Sequence, residues 1–354
     1  MYAVVMAGGG GTRLHPLSRP ERPKPFLPLT SPRSLLQATV DRVAALVEGR
    51  VWIVADDKYR RLVEDQTPDA HFLAEPMGRN TAAAIALATL AIDQPEDEVM
   101  LVLPADQTIE DVAGFQAVLR GAETLAQGAF DIESPLVTLG VQHRGRPATD
   151  YGYLIPKGEM AVIDGVQASA LQAFEEKPNA ARAEELVRQP GVAWNAGMFL
   201  WRRRAIHAAL QRHTGFIQSL GPMVASPAML ERAYESIQRP LSIDHAVMEG
   251  AAARGQVVMG SMDVGWSDLG SWTALLRAID AHGTGAVVKP GETVEVGTDD
   301  LVVRRTDGRL GVVAPLGPGR MTAMQPIAVL RSAAADRSKV EALLDRCAES
   351  ERVA

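Results

Sequence analysis

The amino-acid sequence predicts an α/β fold on a doubly wound, mixed β-sheet, followed by a small β-rich segment and a closing helix. Up to about residue 140, short aliphatic runs alternate with amphipathic stretches, a pattern typical of parallel βαβ units. After about residue 279, Val, Gly and turn residues dominate, which indicates short strands joined by tight turns. We therefore expect a large domain over residues 1–280 and a small one over residues 285–354.

The alternating part of the chain gives the first elements. Strands are predicted at YAVVMA, VWIVA, HFLAE, VMLVLPAD and PLVTLGV, and helices at residues 35–47, 81–92 and 115–126. The carboxyl ends of parallel strands meet at one edge of a sheet, where ligands bind in folds of this class. The glycine-rich loop after the first strand, AEPMGRNT and LPADQT are therefore expected on one rim.

The next part of the chain has shorter β-like pieces. They are YGYLIP, QAFEEKP and GMFLWR, with a helix predicted at 180–188, helical stretches over about 205–255 and a further strand at VVMGSM. We interpret these elements as a ligand-binding half built onto the same sheet. The last predicted element is a helix at residues 338–348.

Composition and charge exclude several classes of protein. The formal net charge of −7 argues against a nucleic-acid binder. The single cysteine, Cys347, excludes an intramolecular disulfide and favours a reducing compartment, so we expect a cytoplasmic protein. No apolar run approaches the ~20 residues that span a bilayer, and the run before the glycines is too short for a signal peptide. We expect no contact with nucleic acid or membrane.

Four consecutive glycines follow the first predicted strand and lead into a proline-rich loop that carries Arg13 and Lys24. Glycines let phosphate oxygens approach backbone N–H groups, although a plain turn is the alternative. A dinucleotide fingerprint is excluded because Arg13 or Leu14 stands at the place of its last glycine, and no Gly-Lys-Ser/Thr follows. Fixed cations suit a triphosphate that sheds pyrophosphate, because they stabilise the charge of the leaving group.

The stretch GGGGTRLHPLSRPERPKP resembles the G-x-G-T-R and P-K signature of the sugar-phosphate nucleotidyltransferases, the pyrophosphorylases that make nucleotide sugars. Further blocks are similar to this family in the same order: AEPMGRNTAAAIALA, LPADQTI, TDYGYLI, FEEKPN, WNAGMFLW, SIDHAVME and VGWSDLGSW. EPMGRNTAAA and WNAGMFLW resemble the guanylyl branch, whereas His15 replaces the tryptophan usual there and resembles the thymidylyl branch. The resemblance implies a Rossmann-like sheet of the nucleotide-diphospho-sugar transferase type.

The resemblance also implies a reaction. GMP would pass from GTP to mannose 1-phosphate by a single in-line displacement that depends on Mg²⁺ and yields GDP-mannose and pyrophosphate. Asp106 and Asp268 would hold Mg²⁺, while Arg13 and Lys24 would stabilise the pyrophosphate. An aspartate after a strand is otherwise most often a helix cap or a turn residue.

For the sugar phosphate, the resemblance implies Gly152, Glu176, Lys177 and Asn195. Lys177 would orient the attacking phosphate as a point charge, and Glu176 would bind sugar hydroxyls. The amide of Asn195 can both donate to and accept from a hydroxyl, and Gly152 lets the backbone approach the sugar. An exposed charged turn is the alternative for Glu176 and Lys177.

The predicted nucleotide-binding residues lie in the glycine loop and after the third strand: Gly8, Gly9, Gly10, Gly11, Thr12, Glu75, Asn80 and Thr81. Guanine presents N1–H and N2–H₂ side by side, two donors that one carboxylate can accept together. Glu75, or backbone acceptors beside it, is therefore the candidate guanine reader. Asn80 and Thr81 stand at a predicted helix start, where N-capping is the alternative.

Two further expectations concern partners and rival functions. The C-terminal β-rich segment resembles one that relatives use in dimer contacts, which implies a homodimer. Another nucleotide or sugar 1-phosphate is an alternative, as is a non-catalytic regulatory subunit that binds nucleotide sugars. The presence of Lys24, Asp106 and Asp268 argues against the regulatory subunit, which would be expected to lose one of them.

Overall fold

The computed structural model describes residues 1–9 and 12–352, and the first part of the chain alternates strands with helices. Strands β1 to β5 lie at Tyr2–Met6, Val51–Asp56, His71–Glu75, Val99–Pro104 and Leu136–Val141. Helices α1 to α4 lie at Leu35–Val43, Arg60–Gln66, Asn80–Ala91 and Val112–Gln127. Helix α2 is absent from the sequence-based prediction because it buries only Val63 and so has no apolar stripe.

The second part of the chain carries shorter elements. Strands β6 to β10 lie at Tyr153–Pro156, Ala161–Ile163, Val166–Glu175, Ala193–Arg202 and Val257–Met262. Helices α5 to α10 lie at Ala180–Leu186, Arg203–His213, Phe216–Leu220, Pro227–Glu235, Glu249–Ala252 and Trp272–Ala278. A π-helical turn, Asp244–Met248, runs directly into α9.

Strands β1 to β10 form one ten-stranded sheet within the described residues. Its order is β3-β2-β1-β4-β9-β5-β10-β8-β6, and β7 pairs with β8. The β1–β4 strands pair in parallel, whereas β9 runs antiparallel between β4 and β5. The start of β9 therefore lies beside the end of β5, where Asn195 pairs with Gly140. This is the mixed α/β sheet that the sequence predicts.

The two faces of this sheet bury separate hydrophobic clusters. Along β1, Tyr2 and Val4 belong to one cluster, and Ala3 and Val5 belong to the other. This alternation follows from the strand's two-residue side-chain period. Helix α3 contributes to the first cluster, and α4 contributes to the second. Both faces are therefore covered, as in a doubly wound sheet.

The C-terminal part of the chain is β-rich and ends in a helix, as predicted. Strands β11 to β16 lie at Thr284–Val288, Thr293–Val296, Leu301–Thr306, Arg309–Val313, Gly319–Thr322 and Ile327–Arg331, and α11 spans Arg337–Arg352. One sheet has the order β11-β16-β13-β14, and β12 pairs with β15. Across the helices of the described residues, none combines the length and the apolar character needed to cross a membrane.

The proline-rich loop after β1, residues 12–29, packs against this C-terminal part. A third hydrophobic cluster joins four loop residues to α11 and to strands β13 and β16; the loop residues are Leu14, Leu17, Leu27 and Leu29. The guanidinium of Arg346 donates to the carbonyl of Leu29 at 2.9 Å, and Arg305 donates to the carbonyl of Pro16 at 3.2 Å. The loop is therefore held in place by α11 and β13.

We predict that Leu343→Ala lowers the free energy of unfolding by about 2–5 kcal/mol, because it opens a cavity in this shared cluster. Urea denaturation monitored by tryptophan fluorescence measures the change. Leu316→Ala is the matched control, since Leu316 is fully exposed and its removal should change stability by less than about 0.5 kcal/mol. Equal effects of the two substitutions would contradict this packing.

Candidate active site

Lys24 lies at the junction of three segments that are far apart in the chain. It opens a 3-10 turn, Lys24–Phe26, between Pro23 and Pro25, and its side chain is only 7% exposed. Its Nζ donates to Asp106 Oδ2 at 2.9 Å and to the backbone carbonyl of Asp268. The structure therefore brings one predicted cation together with both predicted metal-binding aspartates.

A cavity of about 360 Å³ opens beside this junction. Residues of the glycine loop, the proline-rich loop and the end of β4 line it, and they include Gly8, Gly9, Thr12, Arg13, Lys24 and Asp106. Arg13 is exposed, whereas Lys24 is buried. The predicted phosphate-binding residues thus share one cavity, except that Gly10 and Gly11 lie outside the described residues.

The side chain of Asp268 is oriented by two donors. Its Oδ1 accepts from the Tyr151 hydroxyl at 3.0 Å and from the Gly270 N–H at 3.1 Å, a turn of the kind expected as the alternative role for this residue. Burial, together with the negative charge of Asp268, raises the pKa of Tyr151, so its hydroxyl stays a donor. The sequence analysis overlooked Tyr151, although it stands in the TDYGYLI block.

The two aspartates suit a hard divalent cation. They offer carboxylate oxygens, and one oxygen of Asp106 accepts from the Lys24 ammonium. Among the described residues, no group of three or more His, Cys, Asp or Glu side chains is arranged to hold a metal ion. Two carboxylates without a complete cage fit Mg²⁺, which takes its remaining ligands from phosphates and water.

A second cavity of about 380 Å³ adjoins the first and shares Met6, Gly8, Gly9 and Thr81 with it. Asn80 begins α3 with a φ of 66°, and its side-chain oxygen accepts from the Thr81 N–H at 2.8 Å. The N-cap position of α3 is Arg79, which makes no side-chain capping bond. Asn80 and Thr81 both line the second cavity, and the Asn80 side chain also accepts from a backbone N–H of the first helical turn, so the capping alternative applies to Asn80.

Glu75 ends β3 at the wall of the second cavity and is 4% exposed. Its Oε1 is buried and has no hydrogen-bond partner among the described residues. Burial raises the pKa of Glu75 to about 7, and the negative charge of Asp56 raises it slightly further. The hydrogen bond from the Arg79 backbone N–H partly opposes this rise. A buried carboxylate oxygen without a partner costs stability, so the place of Oε1 at a cavity wall indicates a ligand contact.

Asn195 lies at a bulge of β9, where its amide is largely occupied by protein contacts. Its Oδ1 accepts from the Thr138 hydroxyl at 2.8 Å and from the Gly197 N–H at 3.1 Å, and its Nδ2 donates to Asp244 Oδ1 at 2.9 Å. The amide oxygen therefore already has two protein donors, which disfavours its predicted role as an acceptor from a sugar hydroxyl. One N–H of Asn195 remains for a ligand.

Gly152 and Glu176 fit together. A Cβ on Gly152 would lie 2.5 Å from Glu176 Oε2, so the glycine makes room for this carboxylate rather than directly for a sugar. The Glu176 side chain is 6% exposed, and its Oε1 lies 2.8 Å from Lys177 Nζ. Lys177 is 57% exposed and has a φ of 47°, a strained conformation that is common at functional sites. The exposed-turn alternative holds for Lys177 and fails for Glu176.

Two acidic residues beside Glu176 are missing from the sequence-based site. Glu249 Oε1 accepts from the Glu176 N–H at 3.1 Å, and Asp244 contacts Asn195 as described above. Both lie in the SIDHAVME block, five residues apart. Ordinary helical spacing does not align such a pair, whereas the π-helical turn does, so residue spacing alone gave no signal.

Comparisons with known proteins show which family this chain is similar to. A family model described as Nucleotidyl transferase matches residues 2–284. The alginate biosynthesis protein AlgA of Pseudomonas aeruginosa is 35% identical over 80% of this chain and 60% of its own length. A mannose-1-phosphate guanylyltransferase of Escherichia coli K12 is 35% identical over 88% of this chain and 66% of its own.

A solved structure from Thermus thermophilus, described as a mannose-1-phosphate geranyltransferase, has a similar fold. Its TM-score is 0.72 at 31% sequence identity, and the match covers 88% of this chain and 94% of that chain. The chain spans about three fifths of the length of the first curated relatives it matches.

We predict that Glu75→Gln stabilises the fold more at about pH 8 than at about pH 5. The folded-state pKa of about 7 lies above the ordinary 4.5, so the wild-type fold loses stability as pH rises from 4.5 through 7, and glutamine does not ionise. The gain in unfolding free energy should grow by on the order of 2 kcal/mol between these pH values. Urea denaturation of the wild type and the variant at the two pH values measures this gain in unfolding free energy.

Glu48→Gln is the control, because the Glu48 side chain is 83% exposed. A stability difference for Glu75→Gln that does not change with pH would show that the Glu75 carboxylate is not an unpaired buried charge.

Proposed function

The chain belongs to the nucleotidyl transferase family, and from that premise we propose that it transfers GMP from GTP to mannose 1-phosphate, giving GDP-mannose and pyrophosphate. The observation that carries the proposal is the junction at Lys24, where a buried cation, two aspartates and a glycine-lined cavity come together. The relative named mannose-1-phosphate guanylyltransferase supports the choice of nucleotide and sugar.

The proposed chemistry is a single displacement. An oxygen of mannose 1-phosphate attacks the α-phosphorus of GTP and forms a new P–O bond, while the bond to the β-phosphate oxygen breaks and pyrophosphate leaves in line. Arg13 and Lys24 stabilise the growing negative charge of the pyrophosphate from the first cavity. Lys177 holds the attacking phosphate as a point charge, and its exposed ammonium has room to turn from Glu176 towards it.

Asp106 and Asp268 are the residues that would hold Mg²⁺. The ion, when bound, neutralises charge on the α-phosphate and on the incoming phosphate. The hydroxyl of Tyr151 and the N–H of Gly270 fix the orientation of the Asp268 carboxylate. Lys24 keeps the two aspartates close together through its bonds to the Asp106 carboxylate and the Asp268 carbonyl.

Glu75 reads the base in this proposal. Its orphaned oxygen at the wall of the second cavity can accept from N1–H and N2–H₂ of guanine, which uracil and thymine do not offer as a pair. With a pKa of about 7, Glu75 is partly protonated near neutral pH in the free protein. Guanine donors favour the ionised form, so GTP binding releases protons near neutral pH.

The test is pyrophosphate release with Mg²⁺ from GTP, ATP, UTP or dTTP, each paired with mannose 1-phosphate or glucose 1-phosphate. We predict the highest kcat/KM for GTP with mannose 1-phosphate. Glu75→Gln should lower kcat/KM for GTP by about 10- to 100-fold, because one acceptor of a buried charged hydrogen-bond pair is lost. It should leave the values for UTP and dTTP nearly unchanged.

Glu48→Gln again serves as the control and should retain the wild-type preference. Release of no pyrophosphate from any pair would overturn the proposed reaction. A GTP preference that survives in Glu75→Gln would instead overturn the role of Glu75 and leave the reaction standing.

A further inference from the structure

The π-helical turn Asp244–Met248 places acidic side chains against the end of β8. The backbone N–H of Glu249 donates to the carbonyl of Asp244, which closes the wider turn and puts these two residues near each other. Just before the turn, the N–H of Ile243 donates to the Thr81 hydroxyl at 2.8 Å, and Thr81 lines both cavities. The turn is therefore anchored to the wall of the candidate active site.

Asp244 has accepting capacity that the protein does not fill. An ionised carboxylate has about four lone-pair positions. The amide of Asn195 donates to one oxygen at 2.9 Å, and the hydroxyl of Ser242 and the backbone N–H of Asp244 also favour the ionised form. The oxygen of Asn195, in contrast, is filled by Thr138 and Gly197.

Among the described residues, no lysine or arginine forms a salt bridge with Asp244. Burial raises the pKa of Asp244 to about 6, with a further contribution from the Glu176 charge. Lys177 pairs with Glu176, and Glu249 faces His245 at 3.2 Å, so neither supplies a direct partner to Asp244 within the described residues. Two neighbouring carboxylates with this much burial gain from a ligand that brings neutral O–H donors.

Resting on the function proposed above, we propose that the Asp244 carboxylate recognises the sugar by accepting a hydrogen bond from one hydroxyl of the sugar 1-phosphate. Asp244 takes this role because the Asn195 oxygen already accepts from Thr138 and Gly197. Asn195 donates to the same carboxylate and so fixes its orientation. Asp244 is a specificity-determining residue in this assignment, beside Glu176 on the sugar side of the site.

The test combines Asp244→Asn with mannose 1-phosphate and its 2-, 3-, 4- and 6-deoxy analogues, all with saturating GTP and Mg²⁺. In the wild type, one deoxy analogue should lose about 10- to 100-fold in kcat/KM, the cost of a hydrogen bond to a charged acceptor. Asp244→Asn should lower kcat/KM for mannose 1-phosphate by a similar factor, mainly because KM rises. In the variant, kcat/KM for that same analogue should be almost equal to kcat/KM for the parent sugar. The substitution and the missing hydroxyl remove the same interaction, so their effects do not add.

Asp69→Asn is the control, since Asp69 is exposed and lines neither of the two cavities. If Asp244 only positions Asn195, the penalties of all four analogues will be the same in Asp244→Asn as in the wild type, and that additive pattern overturns the inference. Thermal denaturation of the variant separates loss of folding from loss of recognition. Absence of wild-type turnover with the parent sugar would overturn the proposed function as well.

Discussion

The buried ammonium of Lys24 is the interaction on which the site depends. A charge with 7% side-chain exposure is costly unless acceptors surround it. Its two acceptors belong to Asp106 and Asp268, 82 and 244 residues away in the chain, so the fold satisfies Lys24 only by bringing three loops together. Pro23 and Pro25 limit the freedom of the turn that carries it, and the C-terminal helix holds the same loop from the other side.

The nucleotide side and the sugar side of the site share one element. Thr81 lines both cavities, and its hydroxyl accepts from the residue that precedes Asp244. Burial raises the pKa of both Glu75 and Asp244, and Oε1 of Glu75 has no hydrogen-bond partner among the described residues. Glu175 differs from Glu75, because Arg182 donates a hydrogen bond to each of its carboxylate oxygens. The unpartnered oxygen of Glu75 at a cavity wall reduces stability, and the family's chemistry gives a reason to retain it.

Much of this arrangement follows from local sequence. The aliphatic strands and the glycine loop place Lys24, Asp106 and Asp268 on one rim, since the ends of parallel strands meet. The remainder depends on irregular geometry that no periodic pattern encodes. At the bulge in β9, the oxygen of Asn195 already accepts from protein donors. The π-helical turn brings Asp244 and Glu249 together, and the Glu176 carboxylate occupies the space beside Gly152. Helix α2 escapes prediction because it has almost no apolar face.

The most direct test of this account is the turnover number of Lys24→Met for pyrophosphate release from GTP and mannose 1-phosphate, measured against Lys289→Met. Lys289 is exposed on the C-terminal part and should be neutral. With folding of both variants verified by urea denaturation, the account predicts that Lys24→Met lowers kcat by on the order of 10²-fold or more, the cost of losing a charge that stabilises the transition state. Wild-type turnover in folded Lys24→Met would contradict it.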